Sequence, residues 1–198
     1  NLINSIKNLN IPNYEIIVVG QPPSEQYEES IIHIPYIDEN PSGDTSKKKN
    51  LITKNSSYEN IVYMHDYIYL NPDWYNGYKK YGNNFDICMN KILNKDGTRY
   101  RDWTLWCDDA DKHVSHFNYL IPYEMTHLSK MMYISGAYWV AKKDFMIKFP
   151  LNEKLSWGQG EDVEWSIRCR SVTDFKFNPY SSVCLLYTSD AADEGLGV

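Results

Sequence analysis

Short apolar runs alternating with segments of helical spacing constrain this chain most. Residues 14–19, 31–34, 61–64 and 85–89 are brief, rich in Ile, Val, Tyr and Phe, and bounded by turn-formers. Runs of that length and bounding read as buried strands rather than helices. Between them, Leu2, Ile3, Ile6 and Leu9 fall at helical spacing, and Asp44 or Thr45 can cap a helix carrying Lys47, Lys48, Lys49, Asn50, Leu51, Ile52 and Lys54. Asn71-Pro72-Asp73-Trp74 opens another, with Pro72 near its first turn. The alternation predicts an α/β fold with a mostly parallel, doubly wound sheet.

In such a sheet, ligands sit beyond the carboxyl ends of the strands, which places His65 and Asp66, at the end of the 61–64 strand, where chemistry happens. A carboxylate on that rim suits Mg²⁺ or Mn²⁺ carrying a diphosphate, since ion and phosphate both prefer oxygen partners. Asp66 is the candidate metal ligand. His65 is equally a polar strand-end residue or a direct ligand. Lys47 and Lys49 on the preceding helix can neutralise the same phosphates, while Lys48 reads as part of a solvated face.

Further along, Asn94-Lys95-Asp96-Gly97 is a turn, and residues 107–130 form a polar, aromatic stretch without a period. It contains His113, His116 and His127, but no Glu completes a metalloprotease-type pair, so these read as loop histidines in a binding loop. The apolar run 131–140 is interrupted at Ser135-Gly136, and a glycine inside a strand marks a bulge or a close backbone approach to a ligand. Tyr138 and Trp139 point to opposite faces, so at most one lines a site. The stretch 156–168, SWGQGEDVEWSIR, puts Trp157 and two permissive glycines, Gly158 and Gly160, ahead of Glu161, Asp162 and Glu164. By spacing alone it is either an acidic helix N-terminus after a glycine turn or a catalytic loop.

Composition excludes some functions. The formal net charge is −6, and Asp190, Asp193 and Glu194 supply half of it, so no polyanionic partner such as nucleic acid is indicated. No apolar run approaches the ~20 residues of a membrane span. Four cysteines without a CxxC pair signal neither a zinc knuckle nor a disulfide framework and favour a reducing, cytoplasmic setting. Aromatic residues reach 15%, which suits sugar rings as well as a core. Residues 184–194, CLLYTSDAADE, resemble the in-frame translation of a transposase-type adapter sequence. The expectation is therefore one domain over 1–183, truncated at both ends, with 184–198 a non-native tail.

Three pieces in order carry a resemblance. KKKN followed by IVYMHDYIYLNPDW, then ISGAYWVAK, then WGQGEDVE resemble nucleotide-sugar-dependent glycosyltransferases of the A-type fold, the last piece matching the WGxGED element of galactosyltransferase-like members. The resemblance implies a three-layer α/β/α domain. It also implies a nucleotide-sugar donor, a UDP-sugar first, with Lys47, Lys49, Asn50, His65 and Asp66 on the donor side and Mn²⁺ or Mg²⁺ at Asp66. Trp157, Gly158, Gly160, Gly136 and Tyr138 would then line the substrate site, with Asp162, seconded by Glu161, as general base towards a glycan or other hydroxyl acceptor. The family's first strand would precede Asn1, and its second metal ligand, a His, would fall at Cys184 or beyond. A cytoplasmic location, or one on the cytoplasmic face of a membrane, follows. The alternative from another class is a non-catalytic carbohydrate- or nucleotide-binding module. A nucleotidyltransferase is disfavoured because no Gly-rich phosphate loop is visible.

Overall fold

The computed structural model describes residues 2–22, 31–105 and 119–186. Helix α1 (Leu2–Lys7), strands β1 (Ile17–Gly20) and β2 (Ile32–Pro35), and helix α2 (Thr45–Asn55) come first. They are followed by β3 (Asn60–Met64), β4 (Ile68–Leu70), α3 (Trp74–Tyr81) and β5 (Ile87–Leu93). An excursion through β6 (Thr104–Leu105), β7 (Tyr119–Leu120), a 3₁₀ turn (Thr126–Met131) and β8 (Met132–Tyr133) leads to β9 (Tyr138–Lys142). Helices α4 (Lys143–Lys148) and α5 (Glu161–Cys169) and the long strand β10 (Lys176–Leu185) complete the described chain. His113 and His116 lie outside the described residues.

The three-layer α/β/α class expected from the sequence holds, but the sheet is mixed. Its order is β3-β9-β5-β10-β4, with β5 and β10 parallel and the other neighbours antiparallel. A parallel neighbour needs a long crossover, usually helical. Here β9 instead arrives from the 94–137 excursion and lies antiparallel to both β3 and β5. Strands β1 and β2 form a separate parallel pair. Strand β10 does not stop at Val183. Cys184 and Leu185, which the sequence assigns to the tail, are buried and pair with Tyr69 and Ile68 of β4. Among the described residues no helix is long and apolar enough to cross a membrane.

Most of the aromatic content goes to the core. Trp103, Trp139, Trp165, Tyr63, Tyr138 and Phe175 are fully buried, and Tyr63 stacks on Trp139 with ring centroids 4.6 Å apart. Helix α3 lies so close to β10 that a Cβ at Gly77 would overlap the Tyr180 carbonyl and Ser181 Oγ. Ser181 Oγ is itself spent on the Trp74 carbonyl at 2.7 Å. Gly77→Ala must push helix from strand, and we expect it to lower stability by about 1–3 kcal/mol in urea unfolding.

Helix α2 is unusual in what it buries. Ser46, Lys49, Asn50 and Thr53 form its inner stripe, and all four are polar. Buried polar groups need partners, and three have them. Asn50 brackets residue 151, donating to the Leu151 carbonyl and accepting from its N–H, both at 3.0 Å, while Thr53 Oγ1 meets Tyr63 Oη at 2.7 Å. Lys49 turns inward towards the site described below. Strands β1 and β3 each leave one edge unpaired among the described residues, and both edges border a cleft of about 1500 Å³. Val18, Ile52 and Met64 line it together with Lys48, His65 and Asp66.

Candidate active site

The site begins where β3 ends. His65 N–H donates to the Ala137 carbonyl at 3.1 Å, carrying the β3–β9 pairing one step past Met64. A tight turn then closes through Ile68 N–H to the His65 carbonyl, 3.1 Å, and leaves Asp66 exposed on the cleft. The His65 ring stacks on Tyr67 with centroids 5.1 Å apart. Burial, reinforced by the charge of Lys49, pushes the imidazole down to about 3, so His65 is neutral at physiological pH.

Opposite this strand end stands the N-terminus of α5, which starts at Glu161 as the sequence predicts, with Glu161, Asp162 and Glu164 in its first turn. Gly158 and Gly160 take φ of 78° and 70°, and Gly160 occupies the residue before the helix. Asp162 reaches back across the site. Its Oδ2 accepts from Gly136 N–H at 2.7 Å and its Oδ1 from Val163 N–H at 2.8 Å. A Cβ at residue 136 would lie 2.9 Å from Asp162 Oδ2. The glycine inside the 131–140 run is therefore explained by close approach of a carboxylate of this same chain.

Two consecutive residues thus join the two acidic elements, since Gly136 holds Asp162 and Ala137 holds His65. Each carboxylate oxygen retains lone-pair capacity after one backbone bond, so Asp162 can still accept a hydroxyl proton. Glu161 is buried, and its carboxyl is raised above the usual range, first by burial and then by the charge of Asp162, with Lys49 opposing. Glu164 is taken by Arg168 one turn on, at 3.0 Å. The helix is pinned by Trp165, whose Nε1 donates to the Phe149 carbonyl at 2.7 Å, and by Ser166, whose Oγ accepts from Ile134 N–H at 3.0 Å.

The remaining residues singled out by sequence divide clearly. Trp157 is 38% exposed, and its N–H donates to the Gly43 carbonyl at 3.1 Å, so the glycine loop leans on the segment that enters α2. Tyr138 lies in the core instead of at the site. It is fully buried, and its hydroxyl accepts from Trp74 Nε1 at 2.7 Å and donates to Asn90 Oδ1 at 2.6 Å. Asn50 is committed to residue 151, as above. Lys49 is buried with Nζ donating to the Gly136 carbonyl at 2.8 Å, and Lys47 pairs with Glu39 and Asp44. Lys48, read from sequence as solvated, is the lysine whose ammonium lies near the cleft's acidic rim, 2.6 Å from Asp38.

Two features escaped the sequence reading. Asp44 stands at the N-cap position of α2 but makes no side-chain cap. Its carboxylate instead accepts from Glu39 N–H at 2.6 Å and Tyr36 Oη at 3.2 Å, and those bonds, the Glu39 N–H first, hold it below the usual carboxylate range. Asp102, fully buried, accepts from Arg99, Tyr123, Ile92 N–H and Trp103 N–H and knots the excursion to β5. The i,i+3 spacing of Arg99 and Asp102 was the available signal for that knot.

Among the described residues no group of three or more His, Cys, Asp or Glu is arranged to hold a metal ion. The donor set at the strand end is one exposed carboxylate beside a neutral imidazole. That suits an ion of the Mg²⁺ type, which is commonly bound through one or two carboxylates plus substrate phosphates, and does not make a self-sufficient cage.

Solved structures share this arrangement of elements. A crystal structure of GalNAc-T7 with UDP, GalNAc and Mn²⁺ superposes with a TM-score of 0.66 at 14% identity, over 94% of this chain and 40% of that one. Staphylococcus aureus TarS residues 1–349 in complex with UDP gives a TM-score of 0.58 at 15% identity, over 93% of this chain and 55% of that one. TarS itself gives 0.61 at 13% identity, over 98% of this chain and 35% of that one. No protein-family model matches the sequence, and neither does any curated protein. At these identities the likeness establishes the fold, which is that of the A-type glycosyltransferases, and the chain spans about half or less of the length of each of these structures.

Proposed function

We propose that the chain is a catalytic glycosyltransferase domain moving a sugar from a nucleotide-diphosphate donor, UDP-linked first, to a hydroxyl acceptor with inversion. The observation that carries this reading is the Gly136–Ala137 link. The main chain of His65, next to the strand-end carboxylate Asp66 on the cleft, and the carboxylate of Asp162 at a helix N-terminus are bonded to adjacent residues of one turn. Donor diphosphate on the Asp66 side and acceptor hydroxyl on the Asp162 side would meet there.

In this reading Asp162 takes the proton of the attacking hydroxyl as the new glycosidic bond forms and the bond to the nucleoside diphosphate breaks. Trp157 offers a face for the acceptor sugar. Asp66, with His65 beside it, would hold a divalent cation together with the donor phosphates, and such an ion neutralises charge developing on the leaving group. Lys48, one of the lysines lining the cleft, could add to that neutralisation. The fold's presence in structures solved with UDP, and in one case with Mn²⁺, supports the donor assignment.

The lone strand-end carboxylate is what a non-catalytic binding module would also show. Titration of the protein with UDP, with and without Mn²⁺, separates the two. We expect UDP binding that tightens at least severalfold with Mn²⁺, accompanied by slow hydrolysis of a UDP-sugar. Glycan binding with neither property would establish the binding module instead.

A further inference from the structure

Lys49 is the buried charged residue of α2, and the proposed reaction leaves it without a task. The residue is 6% exposed, and its ammonium is bonded to the Gly136 carbonyl at 2.8 Å and lies 4.7 Å from the centre of the Trp139 ring. Burying an ammonium is costly unless partners are provided. The groups facing it are Glu161 and Asp162 from α5, His65 from the end of β3, and the Trp139 indole from β9. Lys48 on its own helix adds a second positive charge felt by His65.

Gly136 is thus gripped from both ends. Its carbonyl accepts from Lys49 and its N–H donates to Asp162, while the next carbonyl, of Ala137, accepts from His65 N–H. A cation at the carbonyl polarises the peptide chain of hydrogen bonds that ends on the Asp162 carboxylate.

We propose that Lys49 is a positioning residue of this site, fixing the Gly136 turn so that the Asp162 carboxylate stands at a set place beside the His65–Asp66 strand end. The proposal rests on the transferase reading for its purpose but not for its geometry. Two electrostatic effects agree with it. Burial, opposed by Glu161 and Asp162, lowers the Lys49 ammonium below the ordinary lysine value, and Lys49 in turn opposes the rise of Glu161. Both arise because the three groups lie near one another around the Gly136 turn.

The test starts with the unaltered chain, by NMR. As pH is raised, the Gly136 carbonyl-carbon shift and the Asp162 carboxyl-carbon shift are expected to step together with the Lys49 side-chain resonances. Independent behaviour of the three overturns the proposal. Lys49→Met removes donor and charge, and Lys49→Gln restores a donor without the charge. In the folded Met variant the Gly136 amide is expected to shift and the Glu161 carboxyl to titrate at higher pH. In the Gln variant the amide shift is expected to return towards the parent value while the Glu161 titration stays raised. UDP-sugar turnover is expected to fall roughly 10²-fold in the Met variant, the scale of a small misplacement, with UDP affinity within about threefold of the parent. Unchanged Gly136 and carboxyl resonances in either folded variant sink the proposal. Absence of UDP binding in the parent would instead sink the transferase reading and leave the NMR result to decide the geometry.

Discussion

Asp162→Asn is expected to reduce sugar transfer by roughly 10²–10⁴-fold, the range for loss of a positioned general base. The amide keeps the shape of the side chain and removes the proton acceptor. It also has a structural cost that the geometry makes explicit. Oδ2 accepts from Gly136 N–H and Oδ1 from Val163 N–H, so one of those donors will face an NH₂ group. An opposed pair of that kind costs roughly 1–3 kcal/mol. The variant should therefore melt lower and yet remain folded, and its activity is to be measured well below its melting temperature. Near-normal transfer by a folded Asp162→Asn protein would remove Asp162 from the mechanism. Asp162→Glu should keep the charge but collide with the Gly136 turn, where even a Cβ has 2.9 Å of room, and we expect it to be nearly as inactive.

The second large effect is on stability. Trp165 is fully buried, 6.0 Å from Trp139 and edge-on to Phe145 at 6.3 Å, with its indole N–H on the Phe149 carbonyl. Trp165→Ala leaves a cavity and an unpaired carbonyl together, and we expect about 3–5 kcal/mol of destabilisation by urea unfolding. A value under about 1 kcal/mol would mean that α5 is not held by this aromatic cluster. Trp165→Phe should recover most of the packing and lose the hydrogen bond, separating the two contributions. Because α5 carries Asp162, the Ala variant is also expected to lose transfer activity before it unfolds globally.

The α/β class was legible because 61–64 and 85–89 are short, apolar and bounded by turn-formers, whereas 14–19 yields only the half-buried β1 from Ile17 on. The placement of Asp66 and Asp162 at element ends followed from the same alternation and from the glycine turn before Glu161. Strand direction was not legible. A parallel sheet and a mixed one use equally apolar strands, and the difference lies in the route taken through 94–137, which has no periodicity to read. Helix α2 misled for another reason. Its inner stripe at 46, 49, 50 and 53 has the spacing of a buried face, but it is filled by polar residues, and polarity was read as exposure. Lys49 and Asn50 were thereby sent to phosphate, whereas both are buried and bonded to main-chain groups of residues 136 and 151. Tyr138 illustrates the converse, since a strand aromatic with a hydroxyl can serve sugar or core, and only its bonds to Trp74 and Asn90 decide for the core.

The link between the two acidic elements is written almost wholly in main-chain atoms: the His65 N–H, the Ala137 carbonyl, and both ends of Gly136. Every amino acid except proline supplies those atoms, so residues 65 and 137 can vary without erasing the link. The one letter this turn spells out is the missing Cβ at 136. A geometry stored in the backbone can outlast nearly all the side chains around it.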